Sequence, residues 1–147
     1  MTKLQNALMP AAMGAFALIA SAPAQAQTGD WYGTVSAPVI RQTNTTYTSG
    51  NIWPGATPSG AVVTSTAWYA TYPSAPGGTS FQIRHCRTAT STCSPYSGFN
   101  SGTSTFHSGA GALQQFYFNV RINASSTYTL GGSYVSTPLQ LTVYYSY

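Results

Sequence analysis

The sequence predicts an all-β fold, a small antiparallel β-sandwich of about six to eight strands with one disulfide. Ser, Thr and 11 Tyr are abundant while residues that favour helices are scarce, and hydroxyl-bearing, β-branched and aromatic side chains suit strands and their turns. Turn signals recur at short intervals through 14 Gly and 9 Pro. After residue 27 no helical apolar period stands out. These features exclude a helical bundle.

Alternating apolar and polar residues identify the strands. The clearest alternation runs over 79–86, 115–123 and 139–147, and further strand candidates are 31–40, 42–48 and 61–72. Alternation of this kind indicates one face in a core and one face exposed. We expect Trp31 and Trp68 to lie in that core.

Clusters of turn residues separate these strand candidates. A Pro- and Gly-rich loop is predicted at 49–60. The Gly- and Ser-rich segment 94–111 is predicted to be a long, mobile loop, and Gly131 with Gly132 is predicted to break the chain.

The first residues have the pattern of an export signal. Lys3 precedes an apolar stretch over 7–20, and the small-residue cleavage pattern follows at 22–26. The sequence therefore predicts a signal peptide at 1–26 that is removed, leaving a single β-sandwich domain at 27–147 in the periplasm. Because the apolar stretch is shorter than the roughly 20 residues that a spanning helix needs, we expect no membrane span after processing.

Charge is scarce in the predicted mature chain. Its charged side chains are Asp30, Arg41, Arg84, Arg87 and Arg121. A nucleic-acid partner is not expected, since such binding needs several phosphate contacts and four scattered arginines supply few. Low charge permits close packing against another protein, so we expect a protein partner.

Cys86 and Cys93 are the only cysteines, and a short polar link separates them. In an exported protein such a pair is predicted to form a disulfide, and closing so short a loop is worth about 2.5 kcal/mol on the chain-entropy view. One alternative adds His85 and His107 to the two thiols as a metal site, and another is a free redox pair. The cysteine spacing is looser than in common zinc knuckles, so we expect no metal and no cofactor.

Catalytic chemistry is hard to assemble from these residues. A single acid excludes paired carboxylates, and a Ser-His-Asp arrangement would need Asp30, almost at the predicted mature N-terminus. His85 and His107 are interpreted as a strand residue and a loop residue rather than as general bases. The sequence has no Gly-x-Ser-x-Gly pattern. We therefore predict that the chain is not an enzyme and has no catalytic residues.

Several segments have a familiar order of aromatic and basic residues. They are Trp31, 67–72, 81–86 followed by Cys93, 116–122 and 138–145. Together they resemble the FlhE flagellar protein family. The resemblance implies a periplasmic, non-enzymatic accessory of flagellar assembly or export, without a cofactor. Its implied partner is a flagellar export or rod component, and its implied role is to limit proton leakage through the export apparatus.

The main alternative is a secreted structural or adhesive subunit of the pilin or spore-coat kind. Such subunits share the export signal, the disulfide and the Thr-, Ser- and Gly-rich strands, but no alternating N-terminal arm for strand exchange precedes Trp31. For either role, protein contacts are predicted at a loop tryptophan, at arginine anchors and at outward tyrosines. These residues are Trp53, Arg84, Tyr117, Arg121 and Tyr144.

Overall fold

The computed structural model describes residues 25–147, without the side chains of 132 and 133. The predicted signal peptide, 1–26, lies outside this range except for its last two residues. The described residues form nine strands and no helix: β1 Thr28–Val35, β2 Ile40–Gln42, β3 Tyr47–Thr48, β4 Val62–Tyr69, β5 Ser80–Arg87, β6 Ser101–Ser104, β7 Phe116–Asn123, β8 Thr129–Tyr134 and β9 Leu139–Ser146. An apolar helix of membrane-spanning length is therefore not found in the described range.

The strands form two larger antiparallel sheets and one antiparallel pair. The four-stranded sheet has the order β1-β9-β4-β6, the three-stranded sheet has the order β3-β7-β5, and β2 pairs with β8. Side chains of the two larger sheets meet in the core, where the ring of Trp31 on β1 lies 6.1 Å from that of Phe116 on β7. The predicted β-sandwich is confirmed, and its strand number is slightly higher than expected.

The predicted inward facing of the apolar residues is confirmed, whereas Cys86 on β5 and Asn119 on β7, which lie on the faces predicted to be exposed, are buried as well. On β7 the side chains of Phe116, Phe118, Val120 and Ile122 are fully buried, whereas Tyr117 between them is only partly buried. On β9 the inward residues are Leu139, Leu141, Val143 and Tyr145. Trp31 is buried as predicted, while Trp68 packs against the core but remains partly exposed.

Two strands run where the sequence predicted a loop and a break. Strand β6 lies within 94–111. It forms although it lacks large apolar side chains, because its pairing with β4 is made by backbone groups. Its Gly102 is required there, since a Cβ at that position would lie 2.6 Å from the Trp68 indole. Strand β8 continues through Gly131, because glycine weakens a strand without preventing its pairing.

A pair of tyrosines anchors the antiparallel strands β2 and β8 to the core. The rings of Tyr72 and Tyr134 stack with centroids 5.9 Å apart. Tyr72 donates a hydrogen bond of 2.6 Å to the carbonyl of Pro38, and Tyr134 donates one to the carbonyl of Pro73. Burial, with Tyr134 as a second cause, raises the pKa of Tyr72. Both hydroxyls therefore stay protonated donors, as buried tyrosines require.

Candidate functional site

The five predicted contact residues lie on three separate surfaces. Arg84, Tyr117 and Arg121 lie on the outer side of the three-stranded sheet, because they alternate with inward residues of β5 and β7. Tyr144 lies on the outer side of the four-stranded sheet, and Trp53 lies in the loop after β3. The structure thus brings Arg84 and Arg121 together but does not bring all five residues to one place.

The first surface is an arginine–tyrosine cluster formed by Arg84, Tyr96 and Arg121. The guanidinium carbon of Arg84 lies 4.3 Å from the centre of the Tyr96 ring, and that of Arg121 lies 4.1 Å from the same centre. Arg121 also donates from Nε to Oε1 of Gln82 at 2.7 Å. A cation over an aromatic face is attracted by the ring quadrupole. Tyr96 therefore holds both arginine side chains in place.

Tyr96 reaches the arginines because its segment lies along the free edge of β5. The backbone nitrogen of Ser94 donates to the carbonyl of His85 at 2.9 Å, and Ser97 and Ile83 exchange two backbone hydrogen bonds. The disulfide at Cys93 turns the chain back onto this edge. Sequence reasoning missed Tyr96 because Pro95 and the surrounding Ser and Gly residues indicate a loop rather than a paired segment.

The second surface is a tyrosine face on the outer side of the four-stranded sheet. Tyr32, Tyr69 and Tyr144 are 71%, 49% and 41% exposed. They come from three neighbouring strands, since β9 lies between β1 and β4. The only charged side chain on these three strands is Asp30, which pairs with Tyr144 across β1 and β9. This face therefore offers aromatic rings and hydroxyl groups to a partner.

The third surface is a cleft beside Trp53. Trp53 is 69% exposed and Leu113 is 61% exposed, although both are large apolar residues. The Trp53 cleft has a volume of about 420 Å³ and is lined by Trp53, Pro54, Thr88, Ala89, Leu113, Gln114 and Gln115. Exposed apolar side chains that share a cleft are typical of contact surfaces.

The disulfide between Cys86 and Cys93 is confirmed. The two Cα atoms lie 3.9 Å apart, and the chain between them turns at Ser91, which has a positive φ of 52°. The backbone nitrogen of Arg87 donates to the carbonyl of Thr92 at 2.9 Å, which closes the turn. Because both sulfurs are bonded to each other, they are not free to act as the thiolate ligands that the metal alternative needs.

The two histidines form a buried polar cluster inside the sandwich. Nε2 of His85 on β5 lies 2.7 Å from Oγ1 of Thr66 on β4. Nε2 of His107 donates to the carbonyl of His85 at 3.3 Å, and the two imidazole rings are 5.1 Å apart. Nδ1 of His107 is buried and has no hydrogen-bond partner within residues 25–147. His107 was predicted as a loop residue, and its deep burial was not foreseen.

Burial keeps both imidazoles neutral. It lowers the pKa of His85 to about 3, with the neighbouring His107 as a second cause. Burial also lowers the pKa of His107, against the opposing effect of its hydrogen bond to the His85 carbonyl. Asp30 pairs with Tyr144 and is exposed on the outer side of β1, whereas His85 points into the core. The carboxylate and the imidazole therefore lie on opposite sides of the four-stranded sheet, and no triad forms between them.

Comparisons with known proteins identify a similar fold. No protein-family model and no curated protein matches the sequence. Among solved structures, the crystal structure of FlhE matches with a TM-score of 0.66 at 19% identity, over 80% of this chain and 96% of that chain. A chain of the cyanophage Pam1 capsid matches with a TM-score of 0.53 at 16% identity, over 94% of this chain and 99% of that chain. At these identities the likeness establishes a shared fold.

Proposed function

We propose that this protein is an exported, non-enzymatic accessory of flagellar assembly or export that acts in the periplasm by contact with another protein. The observation that carries the proposal is the backbone likeness to FlhE, which extends over almost the whole of that chain. The likeness agrees with the resemblance of the aromatic and basic segments described above. A disulfide between the two cysteines also suits an oxidising compartment.

The surfaces of the molecule support a contact role. An interface draws much of its binding energy from buried Trp, Tyr and Arg side chains. This chain exposes Trp53 and Tyr144, and the three side chains of the arginine–tyrosine cluster are partly exposed. The buried histidines serve packing rather than chemistry, since both are neutral and enclosed. A rigid domain with few charges could then lie against a flagellar export or rod component and limit the leakage of protons.

Deletion of the gene tests this proposal. We expect the deletion strain to swarm poorly or to acidify its cytoplasm while flagella are being built, and we expect the wild-type gene to restore both properties. The Asp30→Asn variant should also restore them, because a contact role does not depend on the single carboxylate. The measurements are the swarming radius and the fluorescence of a cytoplasmic pH indicator.

The same strain separates the proposed function from the alternative of a secreted structural or adhesive subunit. Unchanged swarming and unchanged cytoplasmic pH, together with loss of surface fibres or of adhesion, would contradict the flagellar role. Electron microscopy of the cell surface reads out that alternative directly.

A further inference from the structure

We infer that the arginine–tyrosine cluster binds carboxylate groups from an acidic segment of a protein partner. The inference rests on the proposed contact function and deepens it by naming the chemistry that the partner presents. It concerns the outer side of the three-stranded sheet, where Arg84 and Arg121 share the Tyr96 ring.

The two guanidinium groups have no counter-charge near them. Asp30 is the only acidic side chain of the chain, and it lies on β1, in the other sheet. Since both guanidinium carbons lie over one ring, the two positive charges are separated by roughly 8 Å at most, which is no more than the screening length at physiological salt. They therefore repel each other, and a bound anion relieves that repulsion.

The cluster is ordered before any partner arrives. Nε of Arg121 is held by Gln82, and Nε of Arg84 is buried without an acceptor among the described residues. A guanidinium carries five N–H donors, so most of these donors are left for a ligand. Because Ser94 and Ser97, on either side of Tyr96, are hydrogen-bonded to β5, less side-chain freedom is lost on binding than with free surface arginines.

The size of the cluster favours a protein carboxylate over other anions. Recognition of an anionic membrane surface takes clusters of about 4–8 basic residues, and two arginines fall short of that. The planar fork of a guanidinium instead matches a carboxylate with two parallel hydrogen bonds. The residues beside the site on β7 are neutral: Tyr117 is partly exposed, and the buried Asn119 accepts a hydrogen bond from Thr48 at 2.8 Å. Arginine and tyrosine side chains beside neutral polar groups are typical of a protein interface.

Titration of the processed protein with a synthetic peptide of six glutamates tests the inference. We expect binding that weakens as salt is added and no binding of the matched glutamine peptide. The double variant Arg84→Gln/Arg121→Gln should bind the glutamate peptide about fivefold more weakly or worse, since two ion pairs are lost. The matched control is Arg41→Gln, which removes an exposed arginine from β2 and should leave the affinity unchanged.

Variants of Tyr96 separate the geometry of the cluster from its charge. Tyr96→Phe keeps the ring and should keep the affinity, whereas Tyr96→Ala removes the platform and should weaken binding while both arginines remain. Circular dichroism checks that each variant keeps the β fold. Equal loss of affinity in Arg41→Gln, or full affinity in the double variant, would overturn the inference, because binding would then follow net charge alone.

Inorganic phosphate and lipid vesicles test whether the cluster prefers another anion to a carboxylate. Swarming of the deletion strain carrying the double variant tests whether the cluster is needed for the proposed function. Tighter binding of inorganic phosphate or of phosphatidylglycerol vesicles than of the glutamate peptide would overturn the inference. So would full restoration of swarming by the double variant in the deletion strain, which would leave the proposed function intact. A deletion strain that swarms normally would instead contradict the proposed function, and the peptide titration would still decide the carboxylate site.

Discussion

Thr66 and His85 connect the two larger sheets through the core, with Oγ1 of Thr66 lying 2.7 Å from Nε2 of His85. Thr66 belongs to β4 of the four-stranded sheet, and His85 belongs to β5 of the three-stranded sheet. Both side chains are buried, so this hydrogen bond replaces water for both groups. The sandwich therefore contains a polar contact that depends on the protonation state of one imidazole.

The first prediction is a loss of stability in mild acid. The folded state keeps the pKa of His85 near 3, while the unfolded chain binds a proton near pH 6.5. The contribution of His85 is therefore fully present above about pH 6.5 and is lost as the pH falls towards 3. Between pH 7.5 and pH 5.0 we expect the free energy of unfolding to fall by about 2 kcal/mol from His85 alone, and His107 should add to this loss.

Urea unfolding at the two pH values measures this effect. Asp30→Asn is the matched control, because it removes the only acidic side chain and should keep the same dependence on pH. An unfolding midpoint that does not change between pH 7.5 and pH 5.0 would show that the histidines are not buried as neutral groups.

The second prediction concerns Thr66 directly. Thr66→Val keeps the shape of the side chain but removes the hydroxyl that faces Nε2 of His85. A buried polar group left without its partner costs about 1–3 kcal/mol, so the free energy of unfolding should fall by that amount. Thr66→Ser keeps the hydroxyl and should lose less, and equal losses in the two variants would assign the effect to packing instead.

The third prediction uses two neighbouring residues on β7 that face opposite sides. Phe118 is fully buried, whereas Tyr117 is partly exposed on the outer side. Phe118→Asp should lower the free energy of unfolding by several kcal/mol, roughly 3 or more, because it buries an unpaired charge. Tyr117→Asp should cost much less, and thermal melts of the two purified variants compare them directly.

The fourth prediction concerns the disulfide. Replacing Cys86 and Cys93 by alanine should lower the free energy of unfolding by about 2.5 kcal/mol on the chain-entropy view of so short a loop. Since the disulfide also directs 94–97 onto β5, amide hydrogen exchange at Ser94 and Ser97 should speed up more than exchange on β9. Mass spectrometry of the non-reduced wild-type protein should detect the linked peptide, and two free thiols would contradict the assignment.

The sequence pattern predicted which side chains of β5, β7 and β9 face the core, because that depends only on alternation within each strand. Alternation on β5, β7 and β9 places apolar residues on one face, and the sandwich buries that face. Strand β6 was missed because its Ser and Gly residues carry no apolar pattern, and its pairing comes from the β4 backbone. A sequence pattern does not show which distant backbone lies beside a polar segment.

The candidate site depended even more on contacts between distant segments. Arg84 and Arg121 were predicted as outward anchors, but Tyr96, which joins them, was assigned to a loop. Its position follows from the disulfide and from hydrogen bonds along the edge of β5, and both are tertiary contacts. The burial of His107 arises in the same way, because its ring, in the turn after β6, packs 5.4 Å from that of Phe116 on β7.

The last prediction tests the Trp53 cleft as a contact surface. Trp53 is largely exposed, so Trp53→Ser should change the free energy of unfolding by no more than about 0.5 kcal/mol, as expected for a surface position. If the cleft is buried against a partner, the same variant should lose a large share of the binding energy, since tryptophans at the centre of an interface cost about 2 kcal/mol or more when truncated. Swarming of the deletion strain carrying the Trp53→Ser gene should then be as poor as that of the deletion itself.

Tyr32→Ser is the matched control, because it removes an equally exposed aromatic side chain from the four-stranded sheet, away from the Trp53 cleft. Normal swarming with Trp53→Ser and poor swarming with Tyr32→Ser would move the contact surface from the cleft to the tyrosine face.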